Sequence, residues 1–535
     1  MANAPRKLPN ELTLDLGLDE SQEPAELRRR VARQLQRPED SLPELVVLKR
    51  SIDARRGRVR FHVVVGPAAS LPENLGGAPL REVDSPERVA IIGDGPAGLF
   101  CAYELARHGI GATIYDRGKP VQPRRRDLRG LQQEGIVNPD SNYCFGEGGA
   151  GTYSDGKLYT RSHKRGDVRD VIELLAVHGA PEAILTDARP HIGSNKLPRV
   201  ITALREHLEQ VGTRFVFGAR VIGLLRDAGG AAAGVRVADV DTGAASEHGC
   251  EAVVLATGHS ARDVYTWLAE MGVAMEAKGF AAGVRIEHPQ PLIDSIQYGA
   301  SAGHPALPAA AYRLAHTEEG RGVFSFCMCP GGFIVPAATE PGEVVVNGMS
   351  LSRRDSPFAN SGLVVAIEPE DLAAAGYNGA LAGVKYQRRL ERLAFEAGGG
   401  ALKAPATRAT DFLAGRSSTT ASDTSYQPGV TASNVADVLD GAGIVLSQRL
   451  AHALAQFNKR MRGYVTAEAL LVGVETRTSS PVRVPRHPET WQSPGLPGLY
   501  PCGEGAGYAG GIISAAMDGI GVARSLAASM RGTGR

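Results

Sequence analysis

The residues with the clearest chemical meaning form a glycine-rich turn. A short apolar run, Val89–Ile92, leads directly into Gly93, Gly95 and Gly98 in the spacing GxGxxG, and a helical pattern follows over 99–108. The first glycine permits a tight turn, the second lets the backbone approach a pyrophosphate, and the third allows close packing of helix on strand. The start of the helix adds free N–H donors and a positive dipole. The turn therefore predicts a dinucleotide site.

An acidic residue ends the next predicted strand. Asp116 lies twenty-three residues after Gly93, where a carboxylate can accept hydrogen bonds from a ribose diol. An acid at this position disfavours a 2′-phosphate, and therefore NADP. Because such turns bind either NAD or FAD, segments further along the chain must decide between the two.

Two later segments favour FAD. Ala256-Thr257-Gly258 follows a buried strand and resembles a motif that packs beside the dinucleotide in flavoproteins. Near the C-terminus, 498–505 and 510–516 resemble a flavin motif in which an acid, here Glu504, binds the ribityl chain. The helix that follows aims its N-terminus at the flavin, where its dipole stabilises the negative charge of the reduced ring.

A third segment, residues 145–160, contains five glycines and is too polar for a core strand. We predict a loop against the flavin ring, with an ordinary surface loop as the alternative. The segment does not fit the phosphate-binding pattern GxxxxGK[ST], because Leu158 follows Lys157 where Ser or Thr is required.

The chain resembles the glutathione-reductase-type FAD superfamily, and in particular its group of uncharacterised FAD-dependent dehydrogenases. The resemblance extends over nearly the whole length. Besides the glycine turn it rests on five segments: 49–55, 146–158, 326–332, 347–350 and 475–483.

The motifs and the resemblance together predict FAD as the cofactor. From the run Arg124–Arg126 we expect one arginine to bind the FAD phosphates bidentately, with a solvated charged run as the alternative. The predicted cofactor contacts are Gly93, Gly95, Pro96, Ala97, Gly98, Asp116, Arg117, Arg124, Gly149, Gly151, Thr152, Val221, Ala256, Gly258, Gly503, Glu504, Gly511 and Ile512.

The candidate catalytic residues are Cys327, Cys329 and Lys157. On a strand, the two thiols would point to one face, about 7 Å apart in Cα position. A redox pair that exchanges electrons with the flavin is one hypothesis, and a strand of small residues that lines the pocket is the other. Disulfide-reducing relatives carry their pair near the first helix, where this chain has only Cys101 and Cys144, so the sequence argues against disulfide reductase activity.

These features predict an FAD-dependent oxidoreductase, a dehydrogenase or reductase, acting on an unidentified small molecule. Outside the segments assigned to FAD, no second GxGxxG follows a predicted strand, so electrons would come from the substrate, from NAD(P)H that docks transiently, or from a redox protein. A flavin monooxygenase or oxidase is an alternative, although Glu504 stands where aromatic hydroxylases carry Asp. A non-catalytic, FAD-stabilised interaction protein is another.

The elements that position these residues predict an α/β fold: a split Rossmann-type FAD-binding domain, an inserted mixed α+β substrate domain, and a small N-terminal βαββ module. The predicted boundaries are 1–85 for the module, 86–271 and 442–535 for the two parts of the FAD domain, and 272–441 for the insertion. Within the module, residues 51–57 are predicted to form a polar loop.

The composition limits the possible classes of protein. With 43% hydrophobic and 22% charged residues the chain is near the soluble average, while its 65 glycines are roughly 12% against the usual ~7%. A net charge of +1 and 5% aromatic residues argue against nucleic-acid or membrane-surface partners. Six cysteines without CxxC spacing argue against a disulfide framework or a zinc site, and a cytoplasmic location is expected.

Overall fold

A three-stranded antiparallel sheet with one helix begins the chain in the computed structural model, which describes residues 9–70, 75–159 and 166–532. The third strand lies between the other two, and the helix buries Leu27, Val31 and Leu35 against them. This confirms the predicted βαββ module. Its elements are β1 (Leu12–Leu16), α1 (Pro24–Leu35), β2 (Leu45–Asp53) and β3 (Arg60–Pro67).

The second strand of this module is longer than predicted. Ser51, Ile52 and Asp53, expected in a polar loop, pair with β3 and continue β2. Ile52 also packs against the core of the module, so both pairing and burial extend the strand. The irregular part of the predicted loop is reduced to a few residues around Arg55–Gly57.

The next part of the chain alternates strands with helices. Its elements are β4 (Val89–Ile92), α2 (Pro96–Arg107), β5 (Ala112–Asp116), α3 (Val121–Arg129), α4 (Val168–Val177), α5 (Leu197–Gln210), β6 (Arg214–Phe217), β7 (Ala219–Arg226), β8 (Ala232–Asp239), β9 (Ala245–Gly249), β10 (Ala252–Leu255) and α6 (Arg262–Glu270).

A second, more irregular part follows, and the chain then returns to the first. Its elements are β11 (Glu276–Ala277), β12 (Phe280–Pro289), α7 (Gln290–Tyr298), β13 (Ala315–Glu318), β14 (Arg321–Cys329), β15 (Gly332–Pro336), β16 (Val346–Ser350), β17 (Phe358–Ile367), α8 (Pro369–Ala374), α9 (Ala382–Gly398), β18 (Ala404–Arg408), α10 (Ala409–Leu413), β19 (Val430–Ala432), α11 (Val435–Asp440), α12 (Ser447–Arg460) and β20 (Leu470–Glu475). The returning segment contains β21 (Val482–Arg483), β22 (Leu499–Pro501) and α13 (Ile512–Gly532).

A five-stranded parallel sheet forms the first domain, in the order β22-β10-β4-β5-β6. Alternate residues of β4 face opposite sides, as the pleat requires: Val89 and Ile91 pack among the helices, whereas Ala90 and Ile92 pack toward the antiparallel sheet β7-β8-β9 and α6. Because β22 and α13 come from the end of the chain, this domain is split. The predicted Rossmann-type architecture is thereby confirmed.

The inserted domain is built on a seven-stranded mixed sheet in the order β13-β14-β17-β12-β20-β18-β19. The helix α12 and the strand β20 both belong to its core, although the sequence assigned them to the returning FAD domain. The insertion is enclosed by a two-stranded ribbon in which Glu276 pairs with Arg483 and Ala277 with Val482. We therefore propose 278–481 for the inserted domain in place of 272–441.

The sequence misplaced this boundary because α12 has the amphipathic pattern of a helix that would fit either domain. Only the pairing of β20 with β12, nearly two hundred residues earlier in the chain, identifies the domain to which the helix belongs. No helix among the described residues is both long and apolar enough to cross a membrane.

Candidate functional site

The glycine turn lies at the carboxyl end of β4, in the middle of the parallel sheet. Gly93 has a φ of +100°, and a Cβ atom built on it would lie 2.6 Å from the carbonyl oxygen of Ala256. A Cβ on Gly98 would lie 2.0 Å from the carbonyl oxygen of Gly93. A Cβ on Gly95, by contrast, meets no protein atom within 4 Å. Two of the glycines thus serve packing, and Gly95 borders open space.

The start of α2 packs directly on the C-terminal segment. Pro96 lies in the first turn of α2, where its missing N–H leaves no hydrogen bond unmade. Ala97 contacts two glycines: a Cβ on Gly503 would lie 2.6 Å from the Ala97 side chain, and one on Gly519 would lie 2.1 Å from its carbonyl oxygen. The absence of side chains on these glycines lets α13 cross α2 at close range.

Three further glycines border open space near this crossing. Gly258 follows β10, and Gly510 and Gly511 precede α13, which begins at Ile512. A Cβ built on any of the three meets no atom within 4 Å. Together with Gly95 they leave space free of protein atoms beside the carboxyl ends of the strands, and we call these four glycines the glycine cradle.

Glu504 lies between β22 and α13. Burial raises the pKa of its carboxyl to about 7, and the neighbouring ammonium of Lys278 opposes that rise. The next residue, Gly505, would place a Cβ 2.4 Å from the carbonyl oxygen of Gly258, so the two segments touch here. Glu504 is therefore held beside the cradle.

Asp116 ends β5, and its carboxylate accepts hydrogen bonds from the backbone N–H groups of Asp94 at 3.1 Å and Gly118 at 2.8 Å. Asp94, inside the glycine turn, is fully buried, and its Oδ1 has no hydrogen-bond partner within the described part of the chain. Burial, together with the charges of Asp116 and Glu147, raises the pKa of Asp94 well above its usual range. Asp94 is a buried carboxyl with an unpaired oxygen beside the glycine turn, and sequence reasoning did not single it out.

The two predicted arginine contacts are engaged with the protein itself. Arg117 forms ion pairs with Asp140 at 3.0 Å and Asp263 at 2.7 Å. Arg124 is fully buried, and its three guanidinium nitrogens donate to the carbonyl oxygens of Asn142, Glu147 and Gly149, each at 2.9 Å.

Arg124 therefore braces the glycine-rich loop from inside. The sequence predicted that it would bind phosphate, with an exposed charged run as the alternative. The structure shows a buried position in which Nη1 and Nη2 donate to carbonyls of the loop and Nε donates to the carbonyl of Asn142, just before it. We infer that its contribution to cofactor binding is to hold the loop in shape.

The loop itself runs from the cradle to the inserted domain. A Cβ on Gly149 would lie 2.9 Å from the Cα of Gly95, and one on Gly151 would lie 3.3 Å from Pro96 and 3.4 Å from Ile512. The hydroxyl of Thr152 donates to the carbonyl oxygen of Glu147 at 2.7 Å, which closes the turn on itself. Thr160, the last residue of the predicted loop, lies outside the described residues.

Two predicted contacts lie within the sheets. The backbone N–H of Ala256 donates to the carbonyl oxygen of Ile92 at 2.9 Å and joins the end of β10 to β4. Val221 lies on β7 opposite Val237, and its side chain is buried in the core on that side of the parallel sheet. These positions leave the backbone, rather than the side chain, available to a ligand.

Lys157, Cys327 and Cys329 meet at the far end of the loop. The Lys157 Nζ lies 3.5 Å from the Cys327 Sγ, 3.3 Å from the Cys329 Sγ and 3.3 Å from Asp155. The structure thus brings together the three residues predicted from sequence as catalytic. We call Lys157, Cys327 and Cys329 the thiol centre.

The thiol centre depends on an irregularity in β14. Cys327 has a φ of +43°, and the register of β14 against β17 shifts between Phe326 and Cys329. The sequence predicted a regular strand with both thiols on one face. A bulge, which re-aims side chains locally, instead carries both sulfurs toward one ammonium group.

Buried charges support the thiol centre from behind. Arg285, fully buried, donates to the carbonyl oxygen of Cys327 at 2.7 Å and to the carboxylate of Glu475 at 2.7 Å. Burial raises the pKa of Glu475 to about 8. On the other side, Arg354 pairs with Asp155 at 2.8 Å. Through its hydrogen bond to the Cys327 carbonyl oxygen, Arg285 fixes the backbone of Cys327 in its uncommon conformation.

The electrostatics of the two thiols differ. A hydrogen bond from Cys329, assisted by the positive charge of Lys157, lowers the pKa of Cys327 well below its usual range despite burial. The same hydrogen bond and burial raise the pKa of Cys329. For Lys157, the neighbouring thiols and Asp155 outweigh burial and raise its pKa. The electrostatics therefore favour the thiolate at Cys327 over the thiolate at Cys329, next to the Lys157 ammonium.

Sequence reasoning missed the ion pairs that hold these sites in place. Arg285 and Glu475 are 190 positions apart, and no local pattern connects them. A second buried cluster joins the two domains, in which Arg262 of α6 pairs with Glu391 of α9 at 2.8 Å and Arg477 pairs with the same carboxylate at 3.0 Å. The contact between Asp155 and Lys157 could have been predicted, because the two residues are only two positions apart in the sequence.

Comparisons with known proteins agree with this geometry. Residues 279–478 match the family described as FAD-dependent protein, C-terminal domain-like, and 8–66 match a domain of unknown function. An uncharacterized protein of Clostridium beijerinckii is 40% identical over 524 residues, which cover 94% of this chain and 95% of that protein. The putative oxidoreductase AegA of Escherichia coli is 68% identical over 31 residues, 6% of this chain and 5% of that protein.

Solved structures that resemble the chain include flavoproteins. A triple mutant of the flavin-dependent brominase Bmp2 gives a TM-score of 0.38 at 10% identity, with 83% of this chain and 80% of that chain covered. The glycerol-3-phosphate dehydrogenase from Bacillus halodurans, complexed with FAD, gives a TM-score of 0.36 at 12% identity, with 84% and 66% covered.

The parallel sheet, with its glycine turn and the helix N-terminus at the same edge, defines a dinucleotide-binding flavoprotein. The chain belongs to the same family as the Clostridium beijerinckii protein, and its residues 279–478 belong to the family described as FAD-dependent protein, C-terminal domain-like. Its cofactor is FAD, and it is an oxidoreductase. The glycine cradle fits this cofactor, because glycines from three separate segments leave space free of side chains beside the carboxyl ends of the strands.

Proposed function

We propose that the protein is a dehydrogenase or reductase that moves a hydride or an electron pair between FAD and a small molecule. The observation that supports this most strongly is the course of the loop at 145–158. Its middle part packs on the glycine cradle, and Lys157 contacts the inserted domain. One short segment thus connects the cofactor site to the domain in which we place the substrate.

In this proposal the cofactor is held chiefly by backbone. The turn at Gly95 and the N-terminus of α2 receive the pyrophosphate, Asp116 receives a ribose, and Glu504 receives the ribityl chain. The N-terminus of α13 lies against the flavin, which carries two electrons when bound. The finer resemblance to the glutathione-reductase-type superfamily stays a prediction.

The source of electrons is the substrate, NAD(P)H that docks transiently, or a redox protein, since the sequence predicts no second built nucleotide turn. Anaerobic mixing of the yellow protein with NADH, NADPH and a panel of metabolites, followed by flavin absorbance, distinguishes these sources. We expect bleaching by one class of donor. If dithionite bleaches the flavin and no donor in a broad panel does, the proposed activity is wrong.

A further inference from the structure

The two cysteines of the thiol centre differ in access. Cys329 is completely buried, whereas Cys327 is only partly buried. The left-handed backbone of Cys327, at φ +43°, is uncommon for a residue with a side chain. Strained backbone of this kind recurs at functional sites, where the surrounding structure imposes it. Here the imposing group is Arg285, which holds the Cys327 carbonyl at 2.7 Å.

The two sulfurs share one cation. Both lie within 3.5 Å of the Lys157 Nζ, so they are neighbours, and the Cys329 thiol also reaches the Cys327 carbonyl at 3.3 Å. An ammonium beside a cysteine stabilises its thiolate, which is the nucleophilic form. The arrangement therefore favours a reachable thiolate next to a buried thiol.

The other cysteines provide a contrast within the same chain. Burial raises the pKa of the thiols of Cys101 and Cys502, both fully buried, and raises that of Cys250 to about 11. Cys250 is partly buried like Cys327. Partial access alone therefore does not distinguish Cys327 from Cys250. Cys327 differs in its hydrogen bond from Cys329 and in its contact with the Lys157 ammonium.

We propose that Cys327 and Cys329 form a dithiol centre that exchanges with a disulfide substrate. In the first step the Cys327 thiolate attacks one sulfur of the substrate, a Cys327–substrate disulfide forms, and the other half leaves as a thiolate. That thiolate takes the proton of Cys329. The Cys329 sulfur then attacks Cys327, the protein disulfide forms, and the second half of the substrate leaves as a thiolate. Two protein thiols are oxidised and one disulfide is reduced to two thiols.

This inference revises an expectation from the sequence. The chain has no cysteine pair near its first helix, which argued against disulfide reduction, but a different pair contacts Lys157 at the end of the loop whose middle packs on the cradle. A single exchange takes its two electrons from the two thiols and requires none from a cofactor. Only repeated turnover, in which the protein disulfide must be reduced again, rests on the proposed function.

The test is trapping of the mixed disulfide in FAD-loaded protein. Wild type, Cys329→Ser, Cys327→Ser and the control Cys250→Ser are mixed with 5,5′-dithiobis(2-nitrobenzoate), and the peptides are mapped by mass. We expect the wild type and the Cys250→Ser control to yield a peptide with a Cys327–Cys329 disulfide, two hydrogens lighter. Cys329→Ser should accumulate a stable thionitrobenzoate adduct on Cys327. In Cys327→Ser, Cys329 should react at least tenfold more slowly than Cys327 does in the wild type.

Independent labelling of Cys327 and Cys329 in the wild type, with no disulfide between them, would overturn the proposal. So would a Cys329→Ser protein in which Cys327 stays unlabelled while its flavin spectrum is native. The flavin spectrum also separates this inference from the proposed function: failure of exchange leaves bleaching by an electron donor intact, and failure of bleaching leaves the peptide masses unchanged.

The role of Lys157 as a positioning residue is tested by the pH profile of Cys327 alkylation with iodoacetamide. In Lys157→Met we expect the midpoint to rise by at least one pH unit and the rate at pH 7 to fall about tenfold, since one unit corresponds to tenfold less thiolate. Lys157→Arg should restore most of both. An unchanged midpoint in Lys157→Met would contradict the assigned role.

Discussion

The glycine cradle contacts the middle of the glycine-rich loop, the thiol centre lies at the Lys157 end of that loop, and the two sites differ in the groups that build them. The cradle consists of backbone: four glycines in the turns before α2 and α13 and after β10, each beside space free of protein atoms. The thiol centre consists of side chains held by buried charges, of which Arg285 and Glu475 are 190 positions apart. A site made of backbone depends on local conformation, whereas a site made of side chains depends on tertiary packing. The two should therefore respond differently to substitution.

The largest effect is expected from Arg285→Met. Removing the guanidinium leaves the buried Glu475 and the Cys327 carbonyl without their donor. At pH 9, above the raised pKa of Glu475, it also leaves an unpaired buried carboxylate, and breaking a buried ion pair costs about 3–5 kcal/mol. The measurement is the urea midpoint of the FAD-loaded protein. Arg389→Met, at an exposed position on α9, is the control and should change stability by less than about 0.5 kcal/mol. Equal midpoints for the two variants would mean that the thiol centre does not depend on buried charge.

The second prediction concerns the cradle alone. A side chain at Gly95 has room in the protein itself, so Gly95→Val should fold with its N-terminal module intact. It should nevertheless bind FAD at least about 100-fold more weakly, or about 2.8 kcal/mol, because the branched side chain fills the space of the pyrophosphate. FAD retention after gel filtration checks this. Gly495→Val, also open but exposed elsewhere, should retain FAD; a yellow Gly95→Val protein would contradict the assignment.

The third prediction concerns the loop between the two sites. Arg124→Met removes two hydrogen bonds to carbonyls of the loop and one to Asn142 just before it, so we expect FAD binding to weaken about tenfold, or about 1.4 kcal/mol. Alkylation of Cys327 should slow in the same variant, because the loop also carries Lys157. Arg126→Met in the same run is exposed and serves as the control. If only FAD binding changes, the two sites are not coupled through this loop.

The difference between the two sites also explains what could be predicted from sequence. The parallel sheet and the cradle were readable, because Gly93, Gly95 and Asp116 stand directly after short apolar runs and their conformations are local. The sequence identified the three residues that meet in the thiol centre, but it did not predict how they are arranged. The bulge at Cys327 and the support from Arg285 depend on strand pairing between distant segments, for which neighbouring residues give no signal. The buried position of Arg124 was missed for the same reason.

The smallest effect is expected from the pH dependence of Glu475. Its pKa is about 8 in the folded protein and lower when unfolded, so the folded state holds the extra proton between those values. Its contribution to stability is therefore largest at low pH and declines as pH rises toward 8. Glu475→Gln, which stays neutral, should flatten the fall in melting temperature between pH 5 and 8 by about 2 °C. The control Glu489→Gln, at an exposed position, should show the same fall in melting temperature with pH as the wild type. The same fall in Glu475→Gln would exclude titration of Glu475 as its cause.

The ribbon formed by β11 and β21 has a consequence for how such an enzyme can change over time. Because the chain enters and leaves the inserted domain through this paired ribbon, residues 278–481 begin and end next to each other. Domains with neighbouring ends are tolerated as insertions, since they impose little strain on the host. The inserted domain can therefore be replaced as one unit. Related proteins can carry a different inserted domain, and with it a different substrate-binding surface, while the parallel sheet of the dinucleotide domain stays the same.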